Sequence, residues 1–329
     1  SREFALRMRP AGRTGHPDRR PQREKKRICH AKKARPFGIL DAPISLSGKA
    51  IANPETFSIF ARKESGNVFR HLLHPRIHCD GPKICVKCYI TIEAPGLSVH
   101  DEDYHREISL EIARHLQNVI NLERELSILV VGLGNSAITA DSLGPHVVEN
   151  LHITRHMIRE YGLQSLGKEK MHRISGIIPG VMAQTGMETS EIIQGIVAET
   201  KPDIVIAIDA LAARSTRRLN RTIQITDTGI NPGSGVGNHR VGLTEENLQV
   251  KVIGIGVPTV VDAATIVHDS MAHLLEALEE AEQKEFLEEM ISPHLHTMFV
   301  TPKDVDETVK YLSFTISEGL NMAFEEIGG

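Results

Sequence analysis

Two carboxylates carry the chemistry most readily read from this chain. Asp209 directly follows the apolar run Ile204-Val-Ile-Ala-Ile208. A carboxylate so placed loses its water unless it has a partner or a task that requires it. Burial raises its pKa, and a second carboxylate nearby raises one of the two further. Such a pair can share a proton, one member accepting while the other donates. Asp141 supplies a second carboxylate, between the glycine turn Gly132-Leu-Gly-Asn135 and a helix start near Pro145. Each aspartate also has a plainer alternative. Asp209 could cap the next helix or pair with Arg214, and Asp141 could cap the helix it precedes. The two can act together only if their strands are neighbours, which spacing alone does not decide.

Ligands of open α/β sheets gather beyond the carboxyl ends of the strands. That rule points to four loops: 132–145, 208–215, 227–240 and 256–259. Gly134, Asn135, Arg214, Ser215, Gly235, Asn238 and Thr259 lie on them and are the residues expected to bind or support a substrate. Gly132-x-Gly134-x-x-Ala137 also matches a dinucleotide fingerprint. The helix should begin inside that motif, however, and 138–144 reads as loop first. Gly233 to Gly237 lacks the Gly-Lys-Ser/Thr ending of a phosphate loop. Cys79-x5-Cys85-x2-Cys88, with His74 and His78 upstream, is an incomplete zinc pattern because no second matching pair exists. No Gly-x-Ser-x-Gly or His-Glu-x-x-His occurs, so serine and zinc peptidase templates are not met. No metal and no cofactor is expected.

The elements that must position these residues follow from periodicity. Tyr89 to Glu93, Ser127 to Leu133, Asp203 to Leu211, Thr222 to Ile225 and Val252 to Val257 read as strands. Ile108, Ile112, Leu116, Val119 and Ile120 share a helical face. Thr185 and Glu188 have capping-box spacing ahead of Ile192, Ile193, Ile196 and Val197. Asp262 can cap a helix carrying Ile266, Val267 and Met271, and a last helix runs from about Val305 to Phe324. Strands alternating with helices argue a three-layer α/β domain. With 329 residues, 40% of them hydrophobic, only 4% aromatic and no Trp, the core must be built from Ile, Val, Leu and Ala, which suits parallel strands under helices.

Charge divides the chain. Residues 1–90 carry 20 Lys and Arg against 7 Asp and Glu, and the remainder 18 against 35. All four cysteines also fall in the first part. A boundary near Tyr89 is therefore expected, with 1–88 a basic, cysteine-containing, disordered or irregular segment and 89–329 the folded domain. The tract Arg19 to Lys33 lacks interleaved aromatics, so direct nucleic-acid binding is not expected. The apolar stretches are too short to span a bilayer and no leader pattern opens the sequence, so the cytoplasm is the expected compartment.

The loops resemble the germination protease family of spore-forming bacteria. The resemblance rests on Val130-Val-Gly-Leu-Gly-Asn135, Asp141-Ser-Leu-Gly-Pro145, Ile178-Pro-Gly-Val-Met182, Gln184-Thr-Gly186 and Ala207-Ile-Asp-Ala-Leu-Ala-Ala-Arg-Ser215. It continues through Pro232-Gly-Ser-Gly-Val-Gly-Asn238, Gly256-Val-Pro-Thr-Val-Val-Asp262 and Met298-Phe-Val-Thr-Pro302, covering about 89–329. Residues 1–88 do not carry it, as a shifted reading frame, a gene-model error or a fusion would produce. The resemblance implies a phosphorylase/hydrolase-like fold with a mostly parallel central sheet, akin to hydrogenase maturation peptidases. It implies an atypical aspartic endopeptidase that degrades small acid-soluble spore proteins at germination, with Asp141 and Asp209 catalytic. It further implies a homotetramer made as a zymogen in the forespore or spore core. The alternatives are a metal-dependent maturation-type hydrolase using the same acids with His239, and a noncatalytic binder of protein or nucleic acid through the basic segment.

Overall fold

The computed structural model describes residues 51–53, 57–64, 67–77, 84–233, 240–275 and 292–325. Gly235, Asn238, His239, Cys79 and the tract Arg19 to Lys33 lie outside them. Among the described residues, ten strands form one mixed sheet in the order β1-β2-β3-β4-β8-β9-β7-β5-β6, with β10 paired to the end of β9. The first four strands are β1 Ile51–Asn53, β2 Phe57–Glu64, β3 Asn67–Ile77 and β4 Ile84–Glu93. They pair antiparallel in succession, and β4 joins β8 Thr222–Thr226. The strand β4 crosses the position where the charge composition changes.

The parallel part of the sheet is where the aspartates lie. It consists of β6 Arg173–Ile177, β5 Ser127–Gly132, β7 Ile204–Ala213 and β9 Lys251–Asp262. The remaining pairings, including those of β8 and of β10 Phe299–Val300 to β9, are antiparallel. Parallel order thus holds around the site, and antiparallel strands extend the sheet on the β9 side.

These strands are apolar on both faces because helices cover both. Ile128, Val130, Ile204, Ile206, Ile208, Ile253 and Ile255 point to one core. Their neighbours Leu129, Val131, Val205, Ala207 and Val252 point to the other. The first core is closed by α1 Glu102–Val119, α2 Leu143–Glu149 and α8 Val305–Glu325, through Ile108, Ile112, Val147, Leu312 and Ile316. Burying each such side chain stabilises the fold by roughly 1.5–3 kcal/mol. Gly319 lets α8 cross α1 closely, since a Cβ there would stand 2.8 Å from Ile112 and 3.0 Å from the Ser109 carbonyl. The second core lies under α5 Thr189–Thr200 and α6 Glu245–Leu248, through Ile193 and Leu248. Three layers result. The chain also forms α3 Arg155–Ser165, α4 Met182–Thr185 and α7 Ala263–Leu275.

One helix start differs from expectation. Thr185 ends α4 rather than capping the next helix. Glu188 takes the cap position of α5, and the Glu191 carboxylate accepts the Glu188 N–H at 2.9 Å. Gly186, at φ 72°, turns the chain between the two helices, which the three-residue spacing could not reveal. Asp262 does cap α7, accepting the Thr265 N–H at 2.8 Å.

Candidate active site

Strand β5 passes the chain to β6 on one side, and the chain then returns as β7 on the other. The crevice between β5 and β7 is therefore a topological switch point, the place where open α/β sheets bind ligands. Gly132 at the end of β5 pairs with Ile208. Asp209 is thus the first β7 residue beyond the end of β5, and the loop carrying Asp141 grows from that same end.

Glycines let this loop fold back onto β7. The Leu133 N–H donates to the Ile208 carbonyl at 2.8 Å. A Cβ on Gly144 would sit 2.6 Å from both the Ile208 carbonyl oxygen and the Leu133 nitrogen, so no larger residue fits there. Gly134 adopts φ +117°, and a Cβ would collide with the Asp141 carbonyl oxygen. Successive turns join Ile138 N–H to Asn135 O at 3.0 Å and Asp141 N–H to Ile138 O at 2.8 Å. The Asn135 N–H then closes the loop by donating to Asp141 Oδ2 at 2.8 Å.

The two carboxyls occupy unlike environments. Asp209 is 5% exposed. Burial first, and then the negative charge of Asp141, push its pKa up to about 8, against the pull of the Ala210 N–H. Asp141 is half-buried, and burial raises its pKa too. There the Asn135 N–H and the positive charge of Arg240 favour the ionised form. Of the two, Asp209 is thus the carboxyl more strongly held in its protonated form. Asp209 sits inside β7, four residues ahead of its end at Ala213, so it caps no helix. The cap position of α2 belongs to Ser142, so Asp141 does not serve as that cap either.

Strand β9 braces the loop from the far side. Leu211 pairs with Pro258 and Ala212 with Val260, leaving Thr259 as the extra residue of a bulge. Thr259 is fully buried and its Oγ1 donates to the carbonyl of Ala140, next to Asp141, at 2.6 Å. Proline is tolerated inside β9 because it lies at the bulge, where its carbonyl accepts the Asn220 N–H at 2.8 Å.

Gly134, Asn135 and Thr259 therefore gather around Asp141. Arg214 and Ser215 follow the last residue of β7, roughly 16 Å along the strand from Asp209 at 3.3 Å per residue. Ser215 and Thr216 are tied to Asp269 of α7, the Ser215 hydroxyl at 3.0 Å and the Thr216 N–H at 2.7 Å. Two residues at the site escaped the sequence reading. Arg240 ends a flagged loop but carries no motif of its own. Gln184 of α4 donates from Nε2 to Asn135 Oδ1 at 2.9 Å. The only signal for Gln184 was its place in a family-like stretch after a strand that periodicity did not reveal. Among the described residues no cluster of three His, Cys, Asp or Glu is placed to hold a metal ion, and no helix is long and apolar enough to cross a membrane.

Comparison with known proteins assigns the chain. A model of the germination protease family matches residues 81–278, beginning slightly ahead of Tyr89. The germination protease of Caldanaerobacter subterraneus subsp. tengcongensis is 45% identical over 254 residues, 72% of this chain and 78% of the relative. Those of Clostridium tetani and Bacillus subtilis are 42% and 39% identical, each again across 72% of this chain and 78% of the relative. With a family match over more than half its length and relatives of this identity and coverage, the chain belongs to the germination protease family.

Proposed function

We propose that this chain is an endopeptidase that begins the breakdown of small acid-soluble spore proteins at germination, using Asp141 as general base and Asp209 as general acid. The observation that carries the reading is the buried Asp209, its protonated form favoured, beside the loop of Asp141 at the switch point of the sheet. Ionised Asp141 accepts a proton from water as the water oxygen bonds to the scissile carbonyl carbon. The Asp209 proton passes to the leaving nitrogen as the C–N bond breaks. One carboxyl has then gained a proton and the other has lost one, so exchange between them restores the starting state. Peptide and water are converted to a carboxylic acid and an amine with no further reactant.

The family resemblance is what supports this choice of substrate. It is also the support for the further proposals of a homotetrameric zymogen, a cytoplasmic place in the forespore or spore core, and a fold akin to hydrogenase maturation peptidases. The peptidase chemistry is assigned to 89–329, where both aspartates and every loop around them lie. The test incubates the full chain with a purified small acid-soluble spore protein and follows fragments by mass spectrometry. Internal cleavage that disappears in Asp209→Asn is expected. Intact substrate, or undiminished cleavage by the variant, would refute the reading.

A further inference from the structure

Hydrolysis of an amide puts negative charge on the former carbonyl oxygen, and donors fixed before the reaction stabilise that charge most effectively. A fixed donor stands next to Asp141. Asn135 Oδ1 accepts the Ala137 N–H at 3.0 Å, and a backbone N–H can only donate. This identifies the oxygen of the Asn135 amide without ambiguity. The same oxygen accepts Gln184 Nε2 at 2.9 Å. The Gln184 amide is fixed in turn, because its Oε1 accepts the Val181 N–H at 3.3 Å. Two backbone donors thus set both amides in one consistent orientation. Asn135 is left with its Nδ2 hydrogens unused among the described residues, on a half-buried residue whose backbone N–H grips Asp141.

We infer that the Asn135 side-chain NH2 is the oxyanion donor of the peptidase site, and that Gln184 is a positioning residue that holds the amide in donating orientation. The inference rests on the peptidase reading above. It also explains why α4, a single turn following β6, touches the β5 loop: β6 neighbours β5, so its loop can reach across and lock Asn135. Gly180 belongs to the same arrangement. It adopts φ +71°, and a Cβ there would press on Gln184 Oε1 at 2.8 Å. No proton or bond changes hands at Asn135; the amide only donates hydrogen bonds.

The test uses the full chain and a purified small acid-soluble spore protein, with kcat and KM measured for Asn135→Ala, Asn135→Ser, Gln184→Met and Asp209→Asn. Loss of one oxyanion donor lowers kcat by about 10²–10³, so Asn135→Ala should fall by about that factor with KM within roughly threefold and the pH profile unmoved. Ser keeps an acceptor for the Ala137 N–H but not the amide reach, so Asn135→Ser should fall as far. Gln184→Met, which frees the Asn135 amide to turn, should lose about tenfold in kcat by the same preorganisation argument. Recovery of activity in Asn135→Ser would assign Asn135 to the turn alone and overturn the inference. Near-full kcat in Asn135→Ala would do the same while Asp209→Asn, inactive in that assay, left the peptidase reading standing. Full activity in Asp209→Asn would remove both.

Discussion

Replacing Asp209 by Asn keeps the shape of the side chain and removes its proton equilibrium, which makes a signed prediction about stability. The folded protein holds the Asp209 proton up to about pH 8, whereas an unfolded chain releases it near pH 4. Between those values the folded state binds more protons than the unfolded state, so this group subtracts stability as pH rises. At about 1.4 kcal/mol per pH unit the subtraction reaches on the order of 5 kcal/mol above pH 8, a ceiling that water entry and local relaxation reduce. Asn is spared it. The stability of Asp209→Asn minus that of the unaltered protein should therefore climb from pH 4 to 8 and level off. Any fixed cost of the new amide shifts this curve without tilting it. Urea unfolding of both proteins across pH 4–9 measures the difference, in which titrations not coupled to Asp209 cancel. A flat difference would mean that Asp209 is ionised in the folded protein, and the acid–base assignment would fall with it.

Three further outcomes follow from the same geometry. Gly134→Ala should cost several kcal/mol by order of magnitude and abolish hydrolysis, because its Cβ would displace Asp141; thermal unfolding and cleavage assays read both effects. Thr259→Val keeps the volume but leaves the Ala140 carbonyl without its 2.6 Å donor, so about 1–3 kcal/mol of stability and a measurable part of kcat should be lost. Exhaustive chelation should leave cleavage unchanged, since the proposed step needs only two carboxyls and water; activity lost on chelation and restored by one added metal would favour the metal-dependent alternative.

The elements around the site were legible wherever both faces of a strand are buried. Asp203 to Leu211 and Ser127 to Leu133 read as apolar runs because helices cover them on both sides, and β7 and β5 match them to within two residues. The last helix was expected from Val305 to Phe324 and runs Val305–Glu325, since its apolar stripe is continuous. Strand β6 was not legible: it lies at the sheet edge, and Arg173 and Gly176 are exposed, which breaks the apolar run. Strand β9 continues past Pro258 because of a bulge, a pairing irregularity that no local pattern announces. The site divides the same way. Asp209 stood out because a carboxylate behind five apolar residues is costly. Its neighbourhood with Asp141 depends on strand order, with β6 placed outside β5, and the Gln184–Asn135 contact depends on it too. Spacing along the chain carries neither.

The central claim is that Asp141 and Asp209 act as one unit, and a double-mutant comparison of hydrolysis addresses it most directly. Single-turnover cleavage of a small acid-soluble spore protein would be measured for Asp141→Asn, Asp209→Asn and the double variant, each shown to be folded. Residues that work as a unit are non-additive, so either single change should remove nearly all of the rate and the second should cost little more. Losses that multiply in the double variant, or a single variant that retains full activity, would show that the two carboxyls do not share the reaction.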